Sequence, residues 1–240
     1  LHNNLRSKVL TKGLKVFSIK KPTLKKFLLV KFKINLLKEN KSVVNMYAAA
    51  IPGLKLDKSG IDLFLDSKKL VIPDLNTIGI CAGAKHFTKR WGFDNYKELI
   101  NLLTKEGYKV LLFGGEYDQE MCGQLAGNNP LVENLSTSNE LITMGNNMRR
   151  CQLIVGNDSG LMHAATGLHV PVIVIFTSTV TELGFAPYNT KSLIIENNDI
   201  KCRPCSHIGR AECPKNHFDC GNTIKPKMVF EKLQEFYNTL

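Results

Sequence analysis

The chain has 240 residues, of which 43% are hydrophobic, and its 32 lysines and arginines against 21 acidic residues give a formal net charge of +11. A chain of this size and composition can bury one hydrophobic core and part of a second. Its longest apolar run, residues 170–176, is far shorter than the roughly 20 residues of a membrane-spanning helix, which argues against an integral membrane protein. The charge favours a polyanionic partner: nucleic acid, a phosphorylated substrate or an anionic membrane surface.

The basic residues are concentrated near the start of the chain. There, lysines mix with leucine, phenylalanine and valine at near-helical spacing, which predicts an amphipathic basic helix over residues 22–37. Its lysines form either the solvated face of a domain or a surface that binds a membrane or an acceptor. Residues 1–70 carry an incomplete pattern of strands and helices, and we interpret them as the remnant of an N-terminal domain that has lost its first part.

From residue 71 onward, short apolar runs alternate with helical patterns. The runs predict strands at residues 77–83, 108–115, 152–158 and 170–176, and the patterns between and after them predict helices at 93–107, 118–125, 139–149, from 159 onward and from 226 onward. This alternation is typical of a parallel sheet with helices on both faces. We therefore expect residues 71–240 to form a Rossmann-like α/β domain.

Three of these strands end in residues that suit a ligand. In such sheets ligands bind at the carboxyl ends of the strands, where small residues and helix N-termini leave backbone amides accessible. The first two ends supply small residues, cations and acids: Gly83, Ala84, Lys85, Lys89 and Arg90 after the first strand, and Gly114, Gly115, Glu116, Asp118 and Glu120 after the second.

The third end is the stretch VGNDSGLMHAAT, residues 155–166. Ser159 and Gly160 begin a helix, whose amides and dipole favour an anion, and His163 lies one turn further on the same face. A structural interpretation remains open, in which Asp158 or Ser159 caps the helix and His163 packs in the core. Three such ends together favour a site for a nucleotide diphosphate. Neither a G-x-G-x-x-G motif nor a P-loop is present, which argues against a dinucleotide-dependent dehydrogenase or a P-loop ATPase.

These motifs, in the same order, resemble the heptosyltransferases of glycosyltransferase family 9. The similarity rests on KRW after the first strand end, LLFGGEYDQE, LIVGNDSGLMHAATGLHVPVIVIFTST and the closing CRPC segment. It implies a GT-B fold, in which a C-terminal Rossmann-like domain binds the nucleotide sugar and a partial N-terminal one faces it. It also implies transfer of a heptose from ADP-heptose to the lipid A-linked core glycolipid, with inversion and without a metal or cofactor.

The resemblance assigns roles to individual residues. Gly83, Ala84 and Lys89 line the donor-binding site, and the lysine lies near the phosphates or the ribose of the donor. The phosphate and sugar pocket is formed by Asp158, Ser159, Gly160 and His163. Either Asp118 or Glu120 meets the ribose, and spacing does not decide between them. The general base of the family is an aspartate of the N-terminal domain that has no counterpart here, so the catalytic residue is unknown. We expect a cytoplasmic protein, peripheral at the inner membrane.

The seven cysteines favour a reducing compartment and free thiols. Four of them, Cys202, Cys205, Cys213 and Cys220, stand close together with two histidines and could hold a Zn²⁺ ion, although packed thiols are the preferred interpretation. Two other functions stay open: a GT-B transferase or epimerase for a different nucleotide sugar, and a basic nucleic-acid-binding module with a Cys/His loop. Lysines and aromatic residues do not interleave on the predicted strands, so we expect no nucleic-acid partner.

Overall fold

In a computed structural model, which describes residues 5–37, 42–57, 59–65, 71–136 and 140–240, the C-terminal part is an α/β layered domain. Its six strands form one parallel sheet, which confirms the predicted fold class. The strands are β1 Thr77–Cys81, β2 Lys109–Leu112, β3 Val132–Asn134, β4 Leu153–Asn157, β5 Val172–Phe176 and β6 Ser192–Glu196. The helices of this part are α4 Phe93–Lys105, α5 Gln119–Ala126, α6 Leu141–Met148, α7 Gly160–Gly167, α8 Asp219–Asn222 and α9 Pro226–Tyr237.

Alternate strand residues bury their side chains in two separate cores, one on each face of the sheet. Ile78 and Ile80 of β1 pack with α4, α5 and α9. Cys81, on the other face, joins the core that contains Met148 of α6 and Met162 of α7. Because successive strand residues point to opposite faces, strands covered on both sides need apolar residues at nearly every position. This explains the continuous apolar runs from which the strands were predicted.

The strand order is β3-β2-β1-β4-β5-β6. β1 lies between β2 and β4, so the chain leaves β1 toward one edge of the sheet and later returns to its other side. The crevice outside the carboxyl ends of β1 and β4 is the topological switch point at which doubly wound sheets bind ligands. β1 ends at Cys81 and β2 at Leu112, earlier than predicted, so the glycines that follow them lie in loops at this crevice.

The N-terminal region consists of helices joined by irregular segments. They are α1 Leu5–Leu10, α2 Thr23–Phe32 and α3 Val43–Ala48, and the described residues before residue 66 contain no strand. Of the strands and helices indicated by the pattern of residues 1–70, the described part of this region contains only helices. No described helix is both long enough and apolar enough to cross a membrane.

The basic helix predicted over residues 22–37 ends five residues early. Lys33 adopts a left-handed conformation with φ 61°, and its amide donates back to carbonyls of the last turn of α2, which is a common way for a helix to stop. The helix is also less amphipathic than predicted, because Leu29 is its one buried residue and Leu24 and Phe27 are more than half exposed. Leu29 packs against Val180, so α2 meets the loop that follows β5.

Candidate functional site

Asn157, the last residue of β4, joins the ends of β1 and β4. Its side chain is fully buried. The amide nitrogen donates to the carbonyls of Ala82 at 2.7 Å and Gly83 at 3.3 Å, and the amide oxygen accepts from the backbone N–H of Trp91 and the hydroxyl of Tyr96, both at 3.0 Å. A network with all its members satisfied holds both strand ends in one geometry. Sequence reasoning did not single out this residue.

Lys89 and Asp158 form an ion pair at the crevice, with 2.8 Å between Lys89 Nζ and Asp158 Oδ2. The same carboxylate oxygen accepts from the Thr179 hydroxyl at 2.8 Å. The Asp158 side chain is 4% exposed, whereas that of Lys89 is 16% exposed. Because an ammonium group has three donors, Lys89 keeps donors for an anion that approaches from the crevice. The carboxylate of Asp158 holds this cation in place.

The N-terminus of α7 is open to solvent. Gly160 is exposed, and a Cβ added to it would meet no atom within 4 Å apart from its chain neighbours and the backbone of its own helix. Ser159 occupies the N-cap position, but its side chain makes no capping bond, and its hydroxyl is the one buried side-chain N or O atom in the described ranges without a partner. Asp158 does not cap either, since it bonds Lys89 and Thr179 instead. Free amides and an unpaired hydroxyl at an accessible helix end suit an anionic ligand.

His163 lies one turn into α7 and is partly buried. Desolvation lowers the pKa of its imidazole, Lys89 lowers it further, and Asp158 acts in the opposite direction. Its ring is 6.5 Å from that of Phe185. The structure therefore gathers a neutral histidine, the ion pair and the open helix end. That these residues bind a ligand stays a prediction.

The lowered pKa of His163 predicts an acid-sensitive contribution to stability. Below about pH 6.5 the unfolded chain protonates this histidine while the folded protein keeps it neutral, so the unfolded state binds more protons. The free energy of unfolding should therefore fall as the pH drops from 6.5 toward the lower pKa of the folded state. Urea titrations between pH 8 and 5 should show a smaller loss for His163→Gln than for the unmodified protein. Parallel profiles for the two proteins would contradict this expectation.

The structure separates the two acids that spacing left as alternatives. Asp118 Oδ2 accepts from the Gly115 amide at 3.1 Å, and a Cβ added to Gly83 would lie 2.3 Å from that oxygen. Asp118 thus fills the space that Gly83 leaves and bridges the ends of β1 and β2. Glu120 lies exposed on α5 and accepts a hydrogen bond from Gln124. Of these two acids, Asp118 is therefore the one that lies at the crevice.

Thr179 and Arg203 were also missed by sequence reasoning. Thr179 belongs to a run of small polar residues, Thr177–Ser178–Thr179, that directly follows β5. This run is a fourth strand end at the same edge of the sheet, and the rule applied to the other three would have found it. Arg203 is distant in sequence, and no local pattern marks it.

The four clustered cysteines are free thiols beside this loop. Burial raises the pKa of the Cys220 thiol to about 12 and that of Cys205 above its usual range, and the neighbouring thiols add to both shifts. Cys202 Sγ lies 3.9 Å from His217 Nε2. Within the described ranges, no three or more His, Cys, Asp or Glu side chains are grouped so as to hold a metal ion. The Zn²⁺ interpretation thus gains no geometric support.

Comparison with known proteins identifies similar chains. Residues 25–215 match the profile of glycosyltransferase family 9 (heptosyltransferase). The chain is 29% identical over 165 residues to a lipooligosaccharide heptosyltransferase 2 of Campylobacter jejuni, covering 66% of this chain and 50% of that protein. The chain spans about half the length of the curated relatives it matches.

Solved structures that share this fold include the following two. The structure of E. coli ADP-heptose LPS heptosyltransferase II is 29% identical, with a TM-score of 0.56 over 68% of this chain and 46% of that one. The family 9 glycosyltransferase of Veillonella parvula has a TM-score of 0.66 at 20% identity, over 85% of this chain and 62% of that one. The second likeness concerns the fold alone.

Proposed function

Because the chain belongs to glycosyltransferase family 9, we propose that it carries the nucleotide-sugar site of a heptosyltransferase that acts in lipopolysaccharide core assembly. One observation carries the proposal: Lys89, fixed by Asp158, stands at the switch point of the sheet beside the uncapped N-terminus of α7. A cation and free amides around one accessible space are what a diphosphate requires. The proposed donor is ADP-heptose, which the matching E. coli enzyme carries in its name.

In the proposed reaction a sugar hydroxyl displaces ADP from the anomeric carbon in a single step, which inverts that carbon. Negative charge gathers on the diphosphate as the glycosidic bond breaks. The amides that begin α7 and the ammonium of Lys89 would stabilise that charge in place of a divalent metal. The unpaired Ser159 hydroxyl would donate to a phosphate oxygen. No residue of this chain is assigned as the general base.

The remaining residues have roles in holding the donor. The carboxylate of Asp118, which fills the space beside Gly83, would accept from the ribose hydroxyls, and Ala84 would lie against the nucleotide. Glu120, which lies exposed on α5, is the less suitable partner. His163, kept neutral by burial, can hydrogen-bond the heptose or a phosphate without adding charge.

The proposed acceptor is the lipid A-core glycolipid. The chain carries a formal net charge of +11, and basic residues near an anionic interface contribute about 1 kcal/mol each to binding. Lys26 of α2 lies beside the loop that follows β5, since its Nζ is 5.6 Å from the centre of the Phe185 ring. We propose peripheral contact with the cytoplasmic face of the inner membrane and no role for nucleic acid.

Nucleotide binding by this chain tests the proposal. Calorimetric titration with ADP should give binding that survives a chelator, because protein groups replace the metal. Gly160→Val should weaken ADP binding at least ten-fold with little change in the melting temperature, since a Cβ at this position meets no side chain and no other element within 4 Å. ADP-heptose should bind at the same site and compete with ADP.

Three results would contradict the proposal in different ways. Equal affinity for ADP and UDP would leave the fold assignment but remove the preference for adenine. Loss of binding in the chelator would overturn metal independence. Absence of any nucleotide binding, with tight and salt-sensitive binding of a single-stranded oligonucleotide, would favour the nucleic-acid alternative instead.

A further inference from the structure

Arg203 is a buried cation that the proposed reaction does not use. Its side chain is 3% exposed and its Nη2 lies 2.6 Å from Glu196 Oε2. The guanidinium also donates to three carbonyls around the end of β5: that of Phe176 at 3.2 Å, that of Thr179 at 2.8 Å and that of Thr177. A planar group with five donors can hold several carbonyls in a fixed arrangement. Arg203 therefore fixes the path of the backbone from Phe176 to Thr179.

Thr88 holds the opposite side of the same loop. The Thr177 hydroxyl donates to the Thr88 carbonyl at 2.6 Å, and the Ser178 hydroxyl bonds the Thr88 hydroxyl at 3.0 Å. Both Thr88 and its neighbour Lys89 belong to the single helical turn Phe87–Lys89. The loop after β5 is thus clamped between Arg203 and the turn that carries the cation of the site.

The loop in turn positions the ion pair. The Thr179 hydroxyl reaches Asp158 Oδ2 at 2.8 Å, and this same oxygen is 2.8 Å from Lys89 Nζ. If Arg203 no longer held the carbonyl of Thr179, the backbone of Thr179 could shift. The Thr179 hydroxyl would then lose the position from which it donates to Asp158. We infer that Arg203 is a positioning residue, which acts through Thr179 to set the Asp158–Lys89 pair. The expected effect on ADP binding rests on the proposed function. The positioning of the Asp158–Lys89 pair rests on the hydrogen bonds alone.

The test compares Arg203→Lys, Thr179→Val and the double variant in the full chain. Both single changes should weaken ADP binding about three- to ten-fold. The affinity of the double variant for ADP should be no lower than that of the single variant with the lower affinity. Such non-additivity is expected when two residues act through one contact. Fold-changes that multiply in the double variant would overturn the inference, as would a lower melting temperature of Arg203→Lys with an unchanged affinity for ADP.

Val229→Ala is the matched control for lost stability. Val229 is fully buried in α9, in the core on one face of the sheet, so its truncation should lower the melting temperature without changing ADP binding. If Arg203→Lys does not fold, Thr179→Val decides the question by itself. The Thr179 hydroxyl makes the contact by which the loop reaches Asp158. An unchanged affinity of Thr179→Val for ADP would therefore overturn the inference.

A second readout does not depend on ADP. The charges of Asp158 and Lys89 both act on the imidazole of His163. The NMR signals of this imidazole should therefore shift in Arg203→Lys and Thr179→Val, and they should be unchanged in Val229→Ala. If the unmodified chain binds no ADP, the proposed function fails while these signals still test the positioning role. Unshifted His163 signals in both site variants would refute that role.

Discussion

Lys89→Met is expected to raise the Kd for ADP about ten- to a hundred-fold, which corresponds to about 1.4 to 2.8 kcal/mol. The Lys89 ammonium is the cation that Asp158 holds at the crevice, and hydrogen bonds to charged groups contribute about 1.5 to 3 kcal/mol each. Among the described residues, the same change leaves the buried carboxylate of Asp158 with the Thr179 hydroxyl as its remaining side-chain partner. Stability should therefore also fall, by about 2 to 4 kcal/mol.

The double variant Lys89→Met with Asp158→Asn separates the two effects. Asparagine removes the unpaired charge and can still accept from Thr179, so the free energy of unfolding should recover most of its loss. ADP binding should not recover, because the cation is still absent. Asp158→Asn alone should weaken binding less than Lys89→Met, since it displaces Lys89 without removing it. Recovery of both properties in the double variant would mean that Lys89 serves the fold and not the ligand.

The sheet was predictable where its strands are long and buried. Residues 77–83 and 170–176 read as strands because both faces are covered and nearly every position is apolar. The edge strands gave weaker signals. β3 Val132–Asn134 has three residues, none of them buried. β6 Ser192–Glu196 is mostly half-buried, and its apolar run is only three residues long, 193–195. The side chains of edge strands are less buried, so these strands carry fewer apolar residues and are harder to predict from sequence.

The candidate site was predictable to the extent that its residues follow strands. Lys89, Asp158 and Ser159 were found because the carboxyl ends of parallel strands meet at one edge. The choice of Asp118 over Glu120 needed coordinates, since it depends on the space left by Gly83. Which partner each polar group selects is set by tertiary packing. The link of Asp158 to Thr179, 21 residues apart in sequence, is one such choice.

The largest loss of stability is expected for Asn157→Leu, at the residue that joins β1 to β4. Leucine has a similar volume but cannot hydrogen-bond. It would leave the N–H of Trp91, the hydroxyl of Tyr96 and the carbonyl of Ala82 without the partner that Asn157 provides. Each of these three buried polar groups left unpaired costs about 1 kcal/mol or more, so the free energy of unfolding should fall by at least about 3 kcal/mol. Urea denaturation followed by circular dichroism measures this change.

Asn129→Leu is the matched control, because it makes the same substitution far from the crevice. Asn129 is partly exposed, accepting from the Leu131 amide at 3.0 Å and donating to the Thr104 hydroxyl at 3.1 Å, and water can replace both partners. Its loss should cost about 1 kcal/mol or less. Equal costs for the two variants would show that the network of Asn157 is not what holds the strand ends. A much larger cost for Asn157→Leu means that the ends of β1 and β4, which form this crevice, are held together by one buried amide.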